Sequence, residues 1–154
     1  MSLEAAIQQQ KFNSQHQKVA INILYTASWY STELSRALKP YGVSWQQFNI
    51  MRILRGQKGK PVTLKLVSER MIDRMSNTSR LVDKLVAKNL VERTIDASDR
   101  RQVALTLTAS GLDLLDRTSK CVEEMGSVMF GHMCNESLGS LNQLLDTLRE
   151  NRIK

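Results

Sequence analysis

Short polar side chains and two cations stand together at the predicted start of a helix in the middle of the chain. Four consecutive residues carry hydroxyl or amide groups: Ser76, Asn77, Thr78 and Ser79. Arg80 and Lys84 follow one helical turn apart. The free N–H groups and positive end of a helix start attract phosphate, and short polar side chains can bond base edges. These six residues therefore predict a contact with duplex DNA, with Arg80 on a guanine or a phosphate and Lys84 on a phosphate.

A structural role for the same residues stays open. The polar side chains could only cap the helix, with Asp73 or Ser76 as the N-cap. Arg80 could then form a surface ion pair with Asp83, which lies three residues further along the chain.

A basic hairpin tip follows this helix. Two β-rich runs flank the polar hexamer DASDRR, which predicts a hairpin with a modest loop. Arg100 and Arg101, at the far end of the loop, have the charge and reach to enter a narrow minor groove. Asp96 and Asp99 would repel phosphates, so we assign them to shaping the turn and holding one arginine. Charge alone does not decide which arginine enters the groove.

The positive charge of the chain is concentrated on this region. The formal net charge of the 154 residues is +7. Residues 52–101 hold 13 Lys and Arg against 6 Asp and Glu, whereas the remainder holds 9 of each. A basic footprint confined to one segment is typical of a polyanion-binding module.

Hydrophobic spacing predicts a mainly α-helical fold with a small β-hairpin wing. The predicted helices cover about residues 7–39, 44–55, 64–71, 76–88, 109–133 and 135–152, and the strands cover 90–95 and 102–108. We expect a single domain over residues 1–154, in which 44–108 form a winged helix-turn-helix lobe. The flanking helices, 1–39 and 109–154, are apolar enough to need burial, so we assign them to a homodimer interface.

Other classes of function lack support in the sequence. The first 18 residues do not resemble a signal peptide, and no apolar stretch approaches the roughly 20 residues of a membrane span. Cys121 and Cys134 do not make a disulfide framework, so we expect a cytoplasmic protein. His132 and Cys134 could supply half of a metal site, but His16 is the only other histidine. We expect no metal, no cofactor and no enzymatic activity, since there is no nucleophile–base pair or phosphate-cradling loop.

The segment from about residue 61 to residue 111 resembles the MarR (multiple antibiotic resistance regulator) family of bacterial winged helix-turn-helix proteins. The resemblance is carried by PVTLKLVSERM, SRLVDKL, KNLVER, a D-x-x-D-R-R wing and an L-T-x-x-G exit. It implies a homodimeric repressor that occupies a pseudo-palindromic DNA site and is released by a small aromatic or phenolic ligand. It also implies that Arg101 completes a D-x-R pair with Asp99, leaving Arg100 the freer of the two.

The aromatic residues and the cysteines bear on how such a regulator would sense a signal. Most aromatics lie on the first two helices, where the family has its ligand pocket, and our candidates are Tyr25, Trp29, Trp45 and Phe48. Core and dimer packing is the competing explanation. The resemblance departs from the family's organic-peroxide sensors, whose reactive cysteine lies near the first helix. A redox-responsive regulator and a winged-helix protein-interaction module are the alternatives to a ligand-released repressor.

Overall fold

The computed structural model describes residues 1–95 and 103–150. Its helices are α1 (Leu3–Ile7), α2 (Gln15–Leu38), α3 (Trp45–Arg55), α4 (Leu64–Arg70), α5 (Thr78–Ala87), α6 (Ala109–Phe130) and α7 (Asn135–Glu150). Its strands are β1 (Val62–Thr63), β2 (Val91–Ile95) and β3 (Val103–Leu107), and a short 3₁₀ turn, Lys39–Tyr41, follows α2. The predicted mainly α-helical fold with a small β wing is confirmed.

The first long helix begins later than the sequence predicted. α1 ends at Gln8, whose φ of 54° is left-handed. A new helix then starts after Ser14, whose hydroxyl accepts a hydrogen bond from the backbone N–H of Gln17 at 3.2 Å. The prediction of one helix from residue 7 was wrong because this local N-cap restarts the chain at Gln15.

α3 begins where the sequence predicted, at a complete capping box. The Ser44 hydroxyl accepts from the Gln47 backbone N–H at 3.2 Å, and the Gln47 side chain accepts from the Ser44 backbone N–H at 3.0 Å. Two otherwise unpaired donors are satisfied together. This cap sets the first residue of the lobe's central helix.

The three strands form one antiparallel sheet in the order β1-β3-β2. Val62 is paired with Leu105, and Val91 is paired with Leu107. β3 therefore lies between the strand that precedes α4 and the strand that follows α5. This arrangement fixes the base of the wing beside both helices of the helix-turn-helix.

The hydrophobic core lies where α3, α4, α5 and the sheet meet the first turns of α6. Fully buried side chains come from each of these elements: Ile50, Met51, Val67, Val82, Leu85, Val91, Leu105 and Leu115. Because every element of the lobe contributes, the lobe folds around one shared core.

α5 ends in a Schellman motif at Asn89. The Leu90 N–H donates to the Leu85 carbonyl at 3.0 Å, and the Asn89 N–H donates to the Val86 carbonyl at 2.8 Å. Asn89 has a left-handed φ of 55°, a conformation that asparagine tolerates better than most residues. The motif turns the chain sharply from α5 into β2.

The start of α6 is fastened to the same turn. The Thr108 hydroxyl donates to the Asn89 carbonyl at 2.7 Å and accepts from the Gly111 N–H at 3.0 Å. The Thr108 N–H donates to the Leu90 carbonyl at 3.2 Å. A Cβ at Gly111 would lie 2.0 Å from the Leu90 carbonyl oxygen, so only glycine allows this approach. We call this set of contacts the wing–arm joint.

α2 and α6 pack side by side beyond the lobe. The ring of Tyr30 on α2 and the ring of Phe130 on α6 have centroids 6.1 Å apart. An ion pair of 2.9 Å joins the Arg55 guanidinium on α3 to the Asp116 carboxylate on α6. α6 therefore belongs to the lobe at its first turns. We call α2, the remainder of α6, and α7 the helical arm.

The helical arm leaves apolar side chains uncovered. α7 has no buried residue. Exposed apolar side chains occur on all three long helices of the arm: Val19, Leu24, Tyr25, Trp29, Leu112, Val128, Leu141, Leu144 and Leu148. Val128 and Leu144 are 83% and 68% exposed. Within residues 1–95 and 103–150, no helix is long and apolar enough to span a membrane.

Candidate nucleic-acid interface

Two polar side chains of α3 hold the turn between α4 and α5. The buried Asn49 side chain accepts a hydrogen bond from the Ile72 backbone N–H at 3.0 Å. After the larger effects of the Ser76 hydroxyl and the Met75 N–H, the Gln46 side chain also helps to lower the pKa of the Asp73 carboxyl. α3 therefore helps to hold the turn, which comprises residues 71–77, in place.

Asp73 orders the turn from within. Its carboxylate accepts from the Ser76 hydroxyl at 2.8 Å and from the Met75 N–H at 3.0 Å. These hydrogen bonds, first that of Ser76 and then that of Met75, lower the pKa of Asp73. The aspartate shapes the chain before α5 and does not cap the helix.

The N-cap of α5 is Asn77, and the predicted cap at Asp73 or Ser76 was wrong. The Asn77 side-chain oxygen accepts from the Arg80 backbone N–H at 3.0 Å. The Asp73 and Ser76 side chains bond each other instead, which leaves Asn77 as the residue that faces the free N–H groups. Asn77 remains exposed, so its side-chain N–H₂ group can still contact a ligand.

α5 separates an inward face from an outward face. Thr78 is buried, with 6% of its surface exposed, and lies on the inward side with Val82 and Leu85. Ser79, Arg80 and Lys84 are exposed. Of the predicted DNA contacts on this helix, Thr78 is thus turned into the core, and the other three face solvent.

An ion pair joins α5 to the wing. The Arg93 guanidinium on β2 lies 2.5 Å from the Asp83 carboxylate on α5. The pairing of Arg80 with Asp83, considered from the sequence, does not occur. Among the described residues, Arg80 makes no ion pair. Its side chain is exposed to solvent.

The tip of the predicted wing lies outside the described residues. Asp96, Asp99, Arg100 and Arg101 fall between β2 and β3. Their proposed roles stay predictions. The described strands bring the two ends of this segment together, since Ile95 pairs with Val103 in the backbone register.

Three further cations, which the sequence analysis did not single out, lie on α4 and in the turn that leads into α5. Lys65 and Arg70 on α4 and Arg74 in the turn are all exposed. Their presence in the basic segment was visible in the sequence, but their exposure depended on the placement of α4. Together with Arg80 and Lys84 they form a basic surface that we name the α4–α5 face.

The four candidate pocket aromatics lie in different environments. Phe48 is in the buried core, and Trp45 packs against that core from a half-buried position. Tyr25 and Trp29 are exposed on α2. An open groove of about 420 Å³ lies along α2, and none of the four lines it. Its lining is polar and basic: Ser28, Ser31, Thr32, Ser35, Arg36 and Lys39.

The two cysteines have distinct surroundings. The half-buried Cys121 thiol donates to the Ala37 carbonyl at 3.7 Å. The proximity of Cys121, together with burial, raises the pKa of the Tyr41 hydroxyl. Cys134, immediately before α7, is exposed, and its Sγ lies 3.2 Å from the Ser137 hydroxyl. Hydrogen bonds from Ser137 hold the pKa of the Cys134 thiol below its ordinary value. Within the described residues, no three His, Cys, Asp or Glu side chains cluster as metal ligands would.

Known proteins with the same architecture are regulators of transcription. The MarR family model matches residues 43–103. A putative MarR-like transcription regulator from Bacillus cereus superimposes with a TM-score of 0.80 at 19% identity, over 90% of this chain and 99% of that one. No curated protein matches the chain in sequence.

Two further structures were solved with ligands. The organohalide-sensing regulator RdhR, bound to 2,4-dichlorophenol, has a TM-score of 0.82 at 18% identity, over 94% of this chain and 87% of that one. CouR from Rhodococcus jostii, bound to p-coumaroyl-CoA, has a TM-score of 0.72 at 19% identity, over 93% of this chain and 99% of that one. At such identities the likeness establishes the shared fold. The winged-helix lobe described above, over residues 43–103, matches the MarR family model, and the fold of the chain is that of the MarR-like regulator from Bacillus cereus.

Proposed function

We propose that this protein is a sequence-specific DNA-binding transcriptional repressor that acts as a homodimer on a pseudo-palindromic site. The observation that carries the proposal is the α4–α5 face, where the outward side of α5 presents Ser79, Arg80 and Lys84 to solvent. MarR family regulators bind DNA and usually dimerise. Because its partner would be bacterial chromosomal DNA, we expect the protein to act in the cytoplasm.

The chemistry of this face suits a major groove. A helix fits the groove with its N-terminal residues toward the base edges. Ser76, Asn77 and Ser79 are short enough to approach bases or phosphates. Arg80 can bond a guanine in bidentate fashion, and Lys84 suits a phosphate. We assign Thr78 to packing because its side chain is buried.

The wing would add a second contact. β2 and β3 run beside α5, and the Arg93–Asp83 ion pair ties them to that helix. A wing held in this way would place Arg100 and Arg101 over the minor groove that flanks the recognition helix. We propose that Asp96 and Asp99 shape this tip.

The homodimer would be built from the helical arm. Exposed apolar side chains on α2, α6 and α7 cost free energy in water and are covered when two copies pack together. An obligate interface of this kind buries about 2,000 Å² or more. A two-fold axis through the arm would place two α5 helices about 34 Å apart, one helical turn of DNA.

We further propose that a small aromatic or phenolic effector releases the DNA. RdhR binds 2,4-dichlorophenol, and CouR binds p-coumaroyl-CoA. In this chain Tyr25 and Trp29 stand exposed on α2, with Trp45 and Phe48 nearer the core of the lobe. An effector held between arm and lobe would act by favouring a spacing of the two α5 helices that no longer fits DNA.

Selection of bound sequences from a library of random duplexes tests the DNA-binding proposal. We expect enrichment of an inverted repeat whose half-sites are about 10 base pairs apart from centre to centre. The control is the same selection with the Arg80→Ala, Lys84→Ala double variant, which should enrich little. If the unaltered protein enriches no motif, the protein does not read DNA, and an interaction-module function would replace the proposal.

A further inference from the structure

The turn before α5 exposes a large apolar side chain on the α4–α5 face. Met75 is 93% exposed and precedes the N-cap Asn77 by two residues. Ile72, in the same turn, is 71% exposed. We propose that Met75 contacts the methyl group of a thymine in the major groove and thereby contributes to sequence preference. This inference rests on the proposed DNA-binding function.

The position of Met75 is fixed although its side chain is free. Its backbone N–H donates to the Asp73 carboxylate at 3.0 Å, and the Ser76 N–H donates to the Asp73 carbonyl at 3.3 Å. Asn49 anchors the start of the turn through the Ile72 N–H at 3.0 Å. A contact made from such an ordered backbone costs little conformational entropy beyond that of the side chain itself.

The charges around Met75 select a polyanion as the partner. Lys65, Arg70, Arg74 and Arg80 are exposed on the same face. Of the acids on these elements, Asp73 is engaged within the turn, Asp83 is paired with Arg93, and Glu69 is exposed on α4, so the cations outnumber the uncommitted carboxylates. A second copy of the chain would bring the same cations against these cations, which like-charge repulsion disfavours. DNA supplies the opposite charge, and this turn is continuous with the proposed recognition helix.

Thymine is the base that offers Met75 an apolar partner. Its C5-methyl group lies in the major groove, where the polar edges of the other bases are not matched by a thioether side chain. Methionine is flexible and polarisable, so it can adjust to a methyl group without exact geometry. Burial of one methyl group corresponds to about a fourfold change in affinity. A homodimer that makes this contact in both half-sites would lose both methyl groups, and its affinity would change about 15-fold.

Replacement of thymine by deoxyuridine removes this methyl group and leaves the base pair intact. The probe is the duplex selected by the unaltered protein, with one thymine per half-site replaced at a time, and Kd is measured by fluorescence anisotropy. We expect one position at which the replacement weakens binding of the unaltered protein about 15-fold. Met75→Gln, which keeps the length and removes the apolar end, should bind the thymine and deoxyuridine duplexes within about twofold of each other. Met75→Leu should retain the preference for thymine.

Each outcome separates this inference from the function on which it rests. An equal deoxyuridine penalty for Met75→Gln and the unaltered protein would assign the methyl contact elsewhere and overturn the inference. So would the absence of any sensitive thymine in a duplex that is otherwise bound tightly. Failure to enrich any duplex in the initial selection would instead overturn DNA binding itself.

Discussion

Replacement of Gly111 by alanine tests whether the wing–arm joint fixes α6 against the lobe. The new Cβ would lie 2.0 Å from the Leu90 carbonyl oxygen and 3.2 Å from a methyl carbon of Leu107. Non-bonded Cβ contacts under 3.0 Å are essentially unknown, so the two backbones must separate by about 1 Å. The Leu90 carbonyl belongs to the joint and directly precedes β2, so it cannot move independently of the sheet.

The magnitude follows from the hydrogen bonds that this separation breaks. Thr108 makes two that join the segments, at 2.7 and 3.2 Å, to the Asn89 and Leu90 carbonyls. At about 1 kcal/mol each, their loss destabilises the fold by about 2 kcal/mol. The higher helix propensity of alanine returns up to 1 kcal/mol. The expected net loss in the free energy of unfolding is therefore about 1 kcal/mol.

Equilibrium urea unfolding at one fixed protein concentration measures this difference. Gly126→Ala is the matched control, because Gly126 lies within α6 and nothing is within 4 Å of a Cβ at that position. That variant should gain about 0.5–1 kcal/mol or remain unchanged. If Gly111→Ala lost less than about 0.5 kcal/mol, the close approach would not constrain the joint and our account of the L-T-x-x-G segment would fail.

Three other changes test the interface and its support. Asp83→Asn removes the ion pair with Arg93 and should weaken DNA binding about two- to fivefold with an unchanged helix content, measured by anisotropy and circular dichroism. Alanine at both Arg100 and Arg101 should weaken binding roughly 100-fold or more while sedimentation still reports a dimer. Leu144→Asp places a charge on the exposed apolar face of α7 and should convert the dimer to a monomer at micromolar concentration in sedimentation.

Matched variants on the arm serve as controls for these three. Asp113→Asn breaks an exposed ion pair within α6 and should leave DNA affinity unchanged. Arg117→Ala is the control for the Arg100 and Arg101 variant. It removes a cation on α6, outside the α4–α5 face, and should leave DNA affinity unchanged. Asn142→Asp adds a charge to α7 at a polar position and should leave the dimer intact. A dimer that persists in Leu144→Asp would argue against α7 as part of the interface.

Local signals in the sequence were enough to predict most of the fold. Ser44 is followed by Gln47 and then by an apolar run, and the predicted helix starts there with the full capping box. The two β-rich runs pair as a hairpin, as predicted. These features depend on residues within one turn or one strand, which sequence patterns report well.

The details of the candidate site depended on contacts between distant residues. The side chains of Asp73, Ser76 and Asn77 all suit an N-cap, and Asn77 is the one that takes this position. The turn that places it there is held in part by the hydrogen bond from the Ile72 N–H to Asn49, which lies 23 residues away in the chain. The burial of Thr78 follows from the same placement. Asp83 on α5 forms an ion pair with Arg93 on β2. The spacing of residues along α5 could not predict this contact, because the partner lies on another element. Likewise, the exposure of Met75 depends on how the turn is anchored.

The salt dependence of binding to the selected duplex tests the central claim, that the α4–α5 face and the wing hold DNA, most directly. Several phosphate contacts release counterions, so the logarithm of the affinity should fall linearly with the logarithm of the salt concentration, with a slope of about −5 to −10. Removal of Lys84, an exposed cation of α5, should reduce that slope by about 1 per subunit. A slope near zero would contradict the account. So would a Lys84→Ala variant whose slope and affinity both equal those of the unaltered protein.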